Sequence, residues 1–432
     1  MDNKRWTIAV IATVVSWACG EPAAGPDRAV APSFGAGGIG RPSVLVSPNA
    51  NDNGTAKTIQ EGIDMVAEGG TVMVLPGTYN EALVINKALT LEGIGGESGP
   101  AIVAPPPGTS DAIQVTTTDP VVIRRLSVRA GSAQGIHGIG AVDLTVEQVA
   151  VTAVNPPLGI GVLIRLLNDP NPSGERARLV VRESFVDGTI TSQPAPFPQV
   201  FGIQVRGDAD ALLEGNVIRR AGGACIFVTV RDDLGGVQNV DIVGNDLDEC
   251  HPLGQVAAII VGSRAGFFPT AERPLTATGV VNIIGNTIRN SSQSCLTTSA
   301  ISYEVYTGRI ERNRIMSVVQ GCATGTVRNL PSAVWLGRRQ HPLFPPVTPT
   351  VRFNDIVGNA FAGLRIGANQ TAVIDASCNY WGSADGPSGV GSGSGDAVVV
   401  EPSSPTTGPG GAAPLFMPFA ASPIAGTGAT SC

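Results

Sequence analysis

The sequence predicts an all-β protein folded as a parallel β-helix, a solenoid in which short strands stack coil upon coil. Composition is the first indication, because 55 Gly and 33 Pro residues are spread along 432 positions and aromatic residues make up only 5%. This balance favours many short strands joined by turns. The second indication is residues 71–93, where the apolar runs TVMVL, ALVI and LTLEG are separated only by PGTYNE and NKA. These linkers are too short for helices.

One helix is predicted just before that segment, in TIQEGIDMVAEGG. Thr58 is suited to be the N-cap, Glu61 stands three residues later as its capping-box partner, and Gly69 and Gly70 supply a stop. We expect this helix to cover the open end of the solenoid. The three apolar runs that follow it would then form the first complete coil.

A repeat beyond position 120 is the third indication. Its strands include VVIRRLSV, LTVEQVAV, LLEGNVI and NIIGNTI. The residues that occupy the same position in successive repeats are Leu126, Val149, Ser184, Asn216, Asn245, Asn286, Asn313 and Asn354. Their spacing varies from 23 residues (126 to 149) to 41 residues (245 to 286), which indicates a constant coil carrying loops of different length. Inward apolar residues would stack into internal ladders, because no single coil can bury its own face.

Asparagine occupies the same register in five of these coils, at Asn216, Asn245, Asn286, Asn313 and Asn354. We expect each Asn in a tight bend between two strands, because Asn tolerates the left-handed backbone conformation. Stacked amides would also hydrogen-bond along the axis, as in cross-β ladders. The sequence therefore predicts a structural Asn ladder.

Two segments resemble known β-helix proteins. Residues 58–93, from TIQEGIDMVAEGG to LTLEG, resemble the N-terminal entry of right-handed parallel β-helix proteins of the pectin-lyase-like superfamily, and CNYWGSADGPSG at 378–389 resembles the closing motif of bacterial surface β-helix proteins. The resemblance spans about 43 to 402 and implies right-handed coiling. Relatives often finish in a Pro-Trp-Leu-like segment, whereas this chain has MPFAASP at 417–423, so its C-terminal cap is expected to differ.

The N-terminus predicts export. Residues 1–18 have a charged start and an apolar run too short to span a bilayer, as expected of a signal peptide. They resemble a bacterial lipoprotein signal, which implies that Cys19 is lipidated; ordinary cleavage near Ala24 or Ala31 is the alternative. Residues 19–42 would be a flexible linker, 43–402 the β-helix, and 403–432 a Pro/Gly-rich C-terminal segment.

We therefore expect a bacterial outer-membrane lipoprotein, or a cell-surface or extracellular protein, that is monomeric. Its membrane association would come only from the lipid on Cys19. The net charge is −7 and the chain has no basic block, which excludes nucleic acid as a partner.

Six cysteines remain besides Cys19, an even number that suits an oxidising compartment. No Cys-x-x-Cys motif occurs and the three histidines are scattered, so we expect no metal site. Disulfide bonds are predicted on three grounds: the same register in adjacent coils for Cys295 with Cys322, proximity for Cys225 with Cys250, and elimination for Cys378 with Cys432.

Acidic residues offer only weak catalytic candidates. Asp232 and Asp233 lie close in sequence to Asp246 and Asp248, and a glycoside hydrolase needs such carboxylates as acid and base. A polysaccharide lyase would need a Lys or Arg base, with calcium to neutralise the carboxylate of its substrate, but no Lys follows position 87. A solvated loop joining two coils is the favoured explanation of the four aspartates. We expect no cofactor, and only the lyase alternative would require calcium.

Aromatic residues favour binding instead. Sugar rings stack on exposed aromatic faces, and the candidates in the later coils are Phe267, Phe268, Trp335 and Tyr306. Trp335 lies in the strand pattern SAVWLG, where burial in the core competes with binding. Phe267 and Phe268 lie in a loop.

The sequence thus predicts non-catalytic polysaccharide binding, or surface display, by an exported β-helix protein. The alternative is a carbohydrate-active enzyme, a polysaccharide lyase or a glycoside hydrolase acting on an acidic polysaccharide. A periplasmic accessory protein is a second alternative, although five methionines and scattered histidines give no copper-binding pattern.

Overall fold

Alternation of apolar and polar residues gives this chain short strands with one buried face. In Leu89–Gly93, for example, Leu89 and Leu91 are buried while Thr90 and Glu92 remain partly exposed. The computed structural model describes residues 40–48, 55–95, 99–154, 160–169, 174–189, 199–230, 236–250, 257–263, 277–291, 299–316, 318, 331–337, 347–403, 409–424 and 432. Within these ranges no helix has the length and apolar character needed to cross a bilayer.

The strands form three sheets. In spatial order, sheet A contains β2 (Thr55–Ala56), β1 (Arg41–Val46), β3 (Val66–Val74), β6 (Leu89–Gly93), β9 (Pro120–Arg124), β12 (Asp143–Glu147), β15 (Ala177–Arg182), β18 (Ala209–Glu214), β21 (Gly236–Val243), β24 (Ala277–Ile284), β27 (Arg309–Glu311) and β30 (Thr350–Arg352). Sheet B contains β4 (Gly77–Tyr79), β7 (Ala101–Val103), β10 (Ser127–Arg129), β13 (Ala150–Thr152), β16 (Phe185–Asp187), β19 (Val217–Arg219), β22 (Asp246–Asp248), β25 (Thr287–Arg289), β28 (Arg314–Met316) and β31 (Asp355–Val357). Sheet C contains β5 (Leu83–Ile85), β8 (Asp111–Val115), β11 (Gln134–Ile139), β14 (Ile160–Asn168), β17 (Gln199–Gly207), β20 (Ile226–Val230), β23 (Ala257–Ser263), β26 (Ser299–Tyr303), β29 (Ser332–Leu336), β32 (Ala362–Ile366), β34 (Gly395–Val400) and β33 (Pro387–Gly389).

Each coil takes one strand from sheet A, one from sheet B and one from sheet C, and the next coil begins again in sheet A. Neighbouring strands are parallel, as in the pairing of Leu144 with Leu179 and of Ile136 with Ile164. The inward residues of all three sheets form one continuous apolar core that runs from Val44 to Val398. The predicted right-handed parallel β-helix is confirmed.

The helix α1 (Ile59–Met65) begins as predicted but ends earlier. Thr58 is the N-cap, and its hydroxyl accepts a hydrogen bond from the Glu61 backbone N–H at 3.1 Å. The Gly69–Gly70 stop is wrong, because β3 begins at Val66 and pairs with β1. Both glycines lie inside that strand, and a Cβ on Gly70 would approach the Pro42 carbonyl oxygen to 2.7 Å.

The first coil also differs from the prediction. It consists of β3, β4 and β5, whereas LTLEG forms β6 and opens the next coil by pairing Thr90 with Thr71. Strand β4 was missed because only one of its three residues is buried, Tyr79. The Tyr79 hydroxyl donates to the Leu75 carbonyl at 2.9 Å, which fixes the bend into this strand.

The Asn ladder lies where sheet A turns into sheet B. Asn245 shows the pattern: its Oδ1 accepts from the backbone N–H and from Nδ2 of Asn216, both at 2.9 Å. Its own Nδ2 donates to the Leu213 carbonyl and to Asn286 Oδ1. The same contacts link Asn313 to the next coil. Each amide in the ladder is fully buried and satisfied by its neighbours.

The ladder extends beyond the five predicted residues. Ser184 joins it at one end by donating its backbone N–H to Asn216 Oδ1, and Asn379 joins at the other by accepting from Asn354. At this corner the left-handed backbone conformation lies one residue earlier than expected. The corner residues that have a positive φ are Arg125, Gln148, Glu183, Gly215, Gly244, Gly285, Arg312, Phe353 and Cys378. Asn therefore occupies this register for its amide and not for backbone tolerance.

Two disulfide bonds join residues that the structure describes. Cys225 and Cys250 are bonded across adjacent coils with Cα atoms 5.4 Å apart, and Cys378 is bonded to Cys432 with Cα atoms 5.2 Å apart. The predicted pair Cys295 and Cys322 lies outside the described residues, as do Cys19 and the rest of residues 1–39.

The N-terminal edge of sheet C is covered by α1. The Gln60 side chain accepts from the Val84 backbone N–H at 2.9 Å and donates to the Val84 carbonyl at 3.3 Å, as a paired strand would. Glu81 in turn holds the helix, because its carboxylate accepts from the backbone N–H groups of Ile59 (2.7 Å) and Gln60 (2.9 Å). The edge strand β5 is thus paired through a side chain.

Candidate functional site on the outer face of sheet C

Connection length differs sharply around the coil. From β9 to β31, sheet A joins sheet B through two residues every time, as through Gly215 and Asn216. Long connections enter or leave sheet C, and they include 188–198 before β17, 249–256 before β23, 290–298 before β26, 317–331 before β29, 169–176 after β14, 264–276 after β23, 337–349 after β29 and 367–386 after β32. The loops that vary in the sequence repeat therefore border sheet C. Such loops commonly carry function on a rigid scaffold.

Two rows of side chains run along the outer face of sheet C, one residue per coil. The histidine row consists of Gln114, His137, Arg165, Gln204, Phe227, Ile260, Ser302, Trp335 and Arg365. The aspartate row comprises Asp111, Gln134, Val162 and Phe201, and later Ala257, Ser299, Ser332 and Ala362. The face is polar at both ends and apolar in the middle.

A first polar cluster consists of Asp111, Gln134, His137 and Arg165. His137 Nδ1 lies 2.8 Å from Asp111 Oδ2. With its amide assigned to satisfy both neighbours, Gln134 accepts from Arg165 Nη1 at 3.0 Å and donates to the Val162 carbonyl at 3.2 Å. Three adjacent strands thus bring a carboxylate, an imidazole and a guanidinium together.

The first polar cluster is partly buried, and its electrostatics follow from that. Burial alone would raise the pKa of Asp111. Hydrogen bonds from His137 and Ser110, together with the charges of His137 and Arg165, lower it by more, so the pKa of Asp111 lies below its ordinary value. Ionised Asp111 can only accept, so His137 Nδ1 carries the proton. The opposite nitrogen, His137 Nε2, is buried and has no hydrogen-bond partner.

An apolar strip separates the polar ends. The rings of Phe201 and Phe227 are stacked, with centroids 5.3 Å apart and planes at 24°. They belong to a small cluster, distinct from the main core, that also contains Val162, Ala257 and Ile260. Phe227 is partly exposed. Rings of this kind can pack against the C–H faces of sugars.

A second polar cluster lies near the C-terminal end of the face and consists of Ser299, Ser302, Trp335 and Arg365. The Arg365 guanidinium carbon lies 3.7 Å from the Trp335 ring centroid, and Arg365 Nε donates to Glu401 at 2.6 Å. Burial lowers the pKa of Arg365, against the opposing effect of Glu401. The Ser299 and Ser302 hydroxyls and Trp335 Nε1 are buried without hydrogen-bond partners.

Of the four predicted acidic candidates, the structure describes Asp246 and Asp248. Asp246 and Asp248 lie on sheet B, where Arg289 Nη2 donates to Asp246 at 3.1 Å and lies 3.3 Å from Asp248. Both carboxylates are thus engaged in ion pairs on another face of the solenoid. Asp232 and Asp233 lie outside the described residues.

Two of the predicted sugar-stacking residues are buried. Tyr306 is 2% exposed, and its hydroxyl donates to Gln238 Oε1 at 2.6 Å. Trp335 is 4% exposed beneath Arg365. Both rings are packing residues in this structure, since a stacking platform needs a free face. Phe267 and Phe268 lie outside the described residues.

Sequence reasoning missed the first polar cluster. Asp111, His137 and Arg165 are separated by more than twenty residues each along the chain, and no motif links them. The available signal was His137 itself, a titratable residue at an outward position of an otherwise apolar strand, QGIHGI. No group of three His, Cys, Asp or Glu that could hold a metal occurs in the part of the chain that the structure describes.

No family model matches this sequence. No curated protein matches it either. Similar solved structures include the Dettilon tailspike protein (12% identity, TM-score 0.44, 82% of this chain and 68% of that one), the GH136 lacto-N-biosidase from Eubacterium ramulus (8%, 0.43, 88% and 67%), and the A-module of a mannuronan C-5 epimerase from Azotobacter vinelandii (14%, 0.39, 84% and 94%). Identities and TM-scores this low carry no argument about the site.

Proposed function

We propose that this protein binds a polysaccharide along the outer face of sheet C without turning it over. The observation that carries the proposal is the length of the face. Six strand steps separate His137 on β11 from Trp335 on β29, or roughly 29 Å at about 4.8 Å per strand. A face with polar clusters at both ends and an apolar strip between them suits an extended polymer better than a single sugar.

The chemistry of the face supports the same ligand. Gln114, Arg165 and Arg365 are partly exposed and offer amide and guanidinium groups to sugar hydroxyls or carboxylates. Partly exposed Phe227 offers an apolar ring. Phe267 and Phe268 follow β23 in the sequence, outside the described residues, and remain candidates for stacking.

An enzyme is the second candidate function, and the Asp111–His137 pair favours it. A carboxylate that holds one imidazole nitrogen leaves the other nitrogen available as a general base. Hydrolysis of a glycoside requires a second carboxylate, and among the described residues of the first polar cluster Asp111 is the sole carboxylate. Binding without turnover therefore remains the preferred function.

Retention on a panel of plant, algal and bacterial polysaccharides tests the proposal. Gln114→Ala with Phe227→Ala should reduce retention by about tenfold or more, because two contacts on the face are lost. Thr145→Ala with Val280→Ala, on the outer face of sheet A, is the matched control and should leave retention unchanged. Equal loss in both double variants would contradict the proposed face.

Assay of released reducing or unsaturated ends separates the two functions. The binding function predicts none from the wild-type protein. Release of ends that disappears in His137→Gln would instead establish the enzyme.

We further propose that the protein is exported and anchored through a lipid on Cys19. The two disulfide bonds support an oxidising compartment. Display of many copies on a membrane would raise the apparent affinity for a long polymer. Mass spectrometry of the mature N-terminus distinguishes a lipidated Cys19 from ordinary cleavage.

A further inference from the structure

His137 and Arg165 are neighbours on the histidine row, at the same register of adjacent coils. Asp111 fixes His137 from the preceding coil. We propose that Arg165 and the Nε2 edge of His137 together bind an anionic group of the polysaccharide, and that protonation of His137 strengthens the binding. This inference rests on the proposed function and assigns the chemical class of its ligand and its regulation.

The unpartnered nitrogen is the observation that points to a ligand. Buried polar atoms in folded proteins nearly always have a hydrogen-bond partner, whereas His137 Nε2 has none. His137 is 7% exposed, so a ligand reaches Nε2 only after a neighbouring side chain moves. Gln114 and Arg165 flank it on adjacent strands, and both are partly exposed.

Charge decides the ligand class. Strand β8 contributes one negative charge beside His137, from Asp111, and β14 contributes one positive charge, from Arg165. Gln114, Gln134 and Gln204 are neutral, and Asp169 is paired with Arg206 at 3.1 Å. Protonated His137 adds one positive charge to this part of the face and turns Nε2 into a donor. An anion gains from both changes, whereas a neutral sugar does not gain from the charge.

Binding of three polymers at two pH values tests the inference. The probes are polygalacturonate, dextran sulfate and unmodified dextran, at about pH 5 and about pH 8, on either side of the ordinary histidine pKa. The wild-type protein should bind one or both anionic polymers about tenfold more tightly at the lower pH, since one added charge contact is worth about that factor. Binding of dextran should not change. The two anionic polymers distinguish a carboxylate from a sulfate.

Single variants assign the effect to residues. His137→Gln should keep the affinity seen at high pH and lose the pH dependence. Arg165→Gln should weaken anion binding about tenfold at both pH values. Arg178→Gln is the matched control, because Arg178 lies on β15 of the next coil, on sheet A, with a side chain that is 60% exposed. It should bind as the wild type does.

Histidine NMR can be measured on the wild-type protein, so its result does not depend on whether a variant folds. The chain has three histidines, and the resonance missing in His137→Gln identifies His137; if that variant does not fold, His251→Gln and His341→Gln assign the other two resonances and leave that of His137. Saturation with the anionic polymer at about pH 5 should shift the ring resonances of His137, because the anion contacts Nε2. Equal binding of dextran and the anionic polymers, or unchanged pH dependence in His137→Gln, would overturn this inference and leave polysaccharide binding intact. Absence of binding to any polysaccharide would overturn both.

Discussion

Asparagine is the residue that sets the corner between sheets A and B. The Asn side chain both donates and accepts hydrogen bonds along the solenoid axis, as Asn286 does between Asn245 and Asn313. The sequence predicted the positions of five ladder residues, because their spacing repeats. It misassigned the left-handed conformation, which belongs to Gly244, Arg312 and the other residues one position earlier. Residue type alone could not show this, since Arg and Phe also adopt that conformation in this protein.

Asn286→Leu should lower the free energy of unfolding by about 1–3 kcal/mol, because buried amide and backbone groups of Asn245 lose their acceptor. Chemical denaturation measures the change. Asn80→Leu is the control, since Asn80 is exposed, and it should cost little. Asn369 is unsuitable as a control because it is only 5% exposed. Equal losses at Asn286 and Asn80 would contradict the ladder.

Asp111 should make stability depend on pH. Its pKa is lowered in the folded state, so the ionised side chain contributes stability above the ordinary Asp pKa of about 3.9 and loses it as pH falls through the folded value. Asp111→Asn should therefore melt at a lower temperature than the wild type near neutral pH. The two melting curves should converge in acid below about pH 4. A difference that is constant with pH would show that charge is not involved.

At the scale of elements, the N-cap of α1 was predictable and its end was not. Thr58 and Glu61 form a local signal, whereas the end at Met65 depends on the pairing of β3 with β1, a long-range contact. Glu81 was missed for the same reason. It lies beyond β3 in the sequence but caps the first turn of α1.

Glu81→Ala should lower the free energy of unfolding by about 1–2 kcal/mol, because two backbone donors at the start of α1 lose a charged acceptor. Glu68→Ala is the matched control, since Glu68 is exposed on β3. Thermal melts of both variants decide the point. Similar shifts for the two would show that Glu81 acts only through its charge on the whole molecule.

At the scale of the whole molecule, the fold was predictable and the candidate site was not. A solenoid repeats its signal in every coil, so a missed strand such as β4 does not hide it. His137 and Arg165 appear once each, and only the register of sheet C places them side by side. The residues of this site meet only in the folded structure, so the sequence contains no repeated pattern that would reveal it.

Ligand length should govern affinity. Oligosaccharides shorter than the roughly 29 Å between the polar clusters should bind weakly, and affinity should rise until one chain contacts both clusters and then level off. Titration with a size-graded series of one polysaccharide measures this. Affinity that is independent of length would indicate a pocket for a single sugar unit.

The pairing of Gln60 with Val84 has a consequence beyond the stability of one molecule. An uncovered strand at the end of a parallel sheet presents a row of free N–H and C=O groups, a template on which a second molecule can continue the sheet. Because the Gln60 amide occupies both groups of Val84, α1 acts as a chain terminator for self-assembly. At high local concentration such a terminator opposes the joining of copies end to end into fibres.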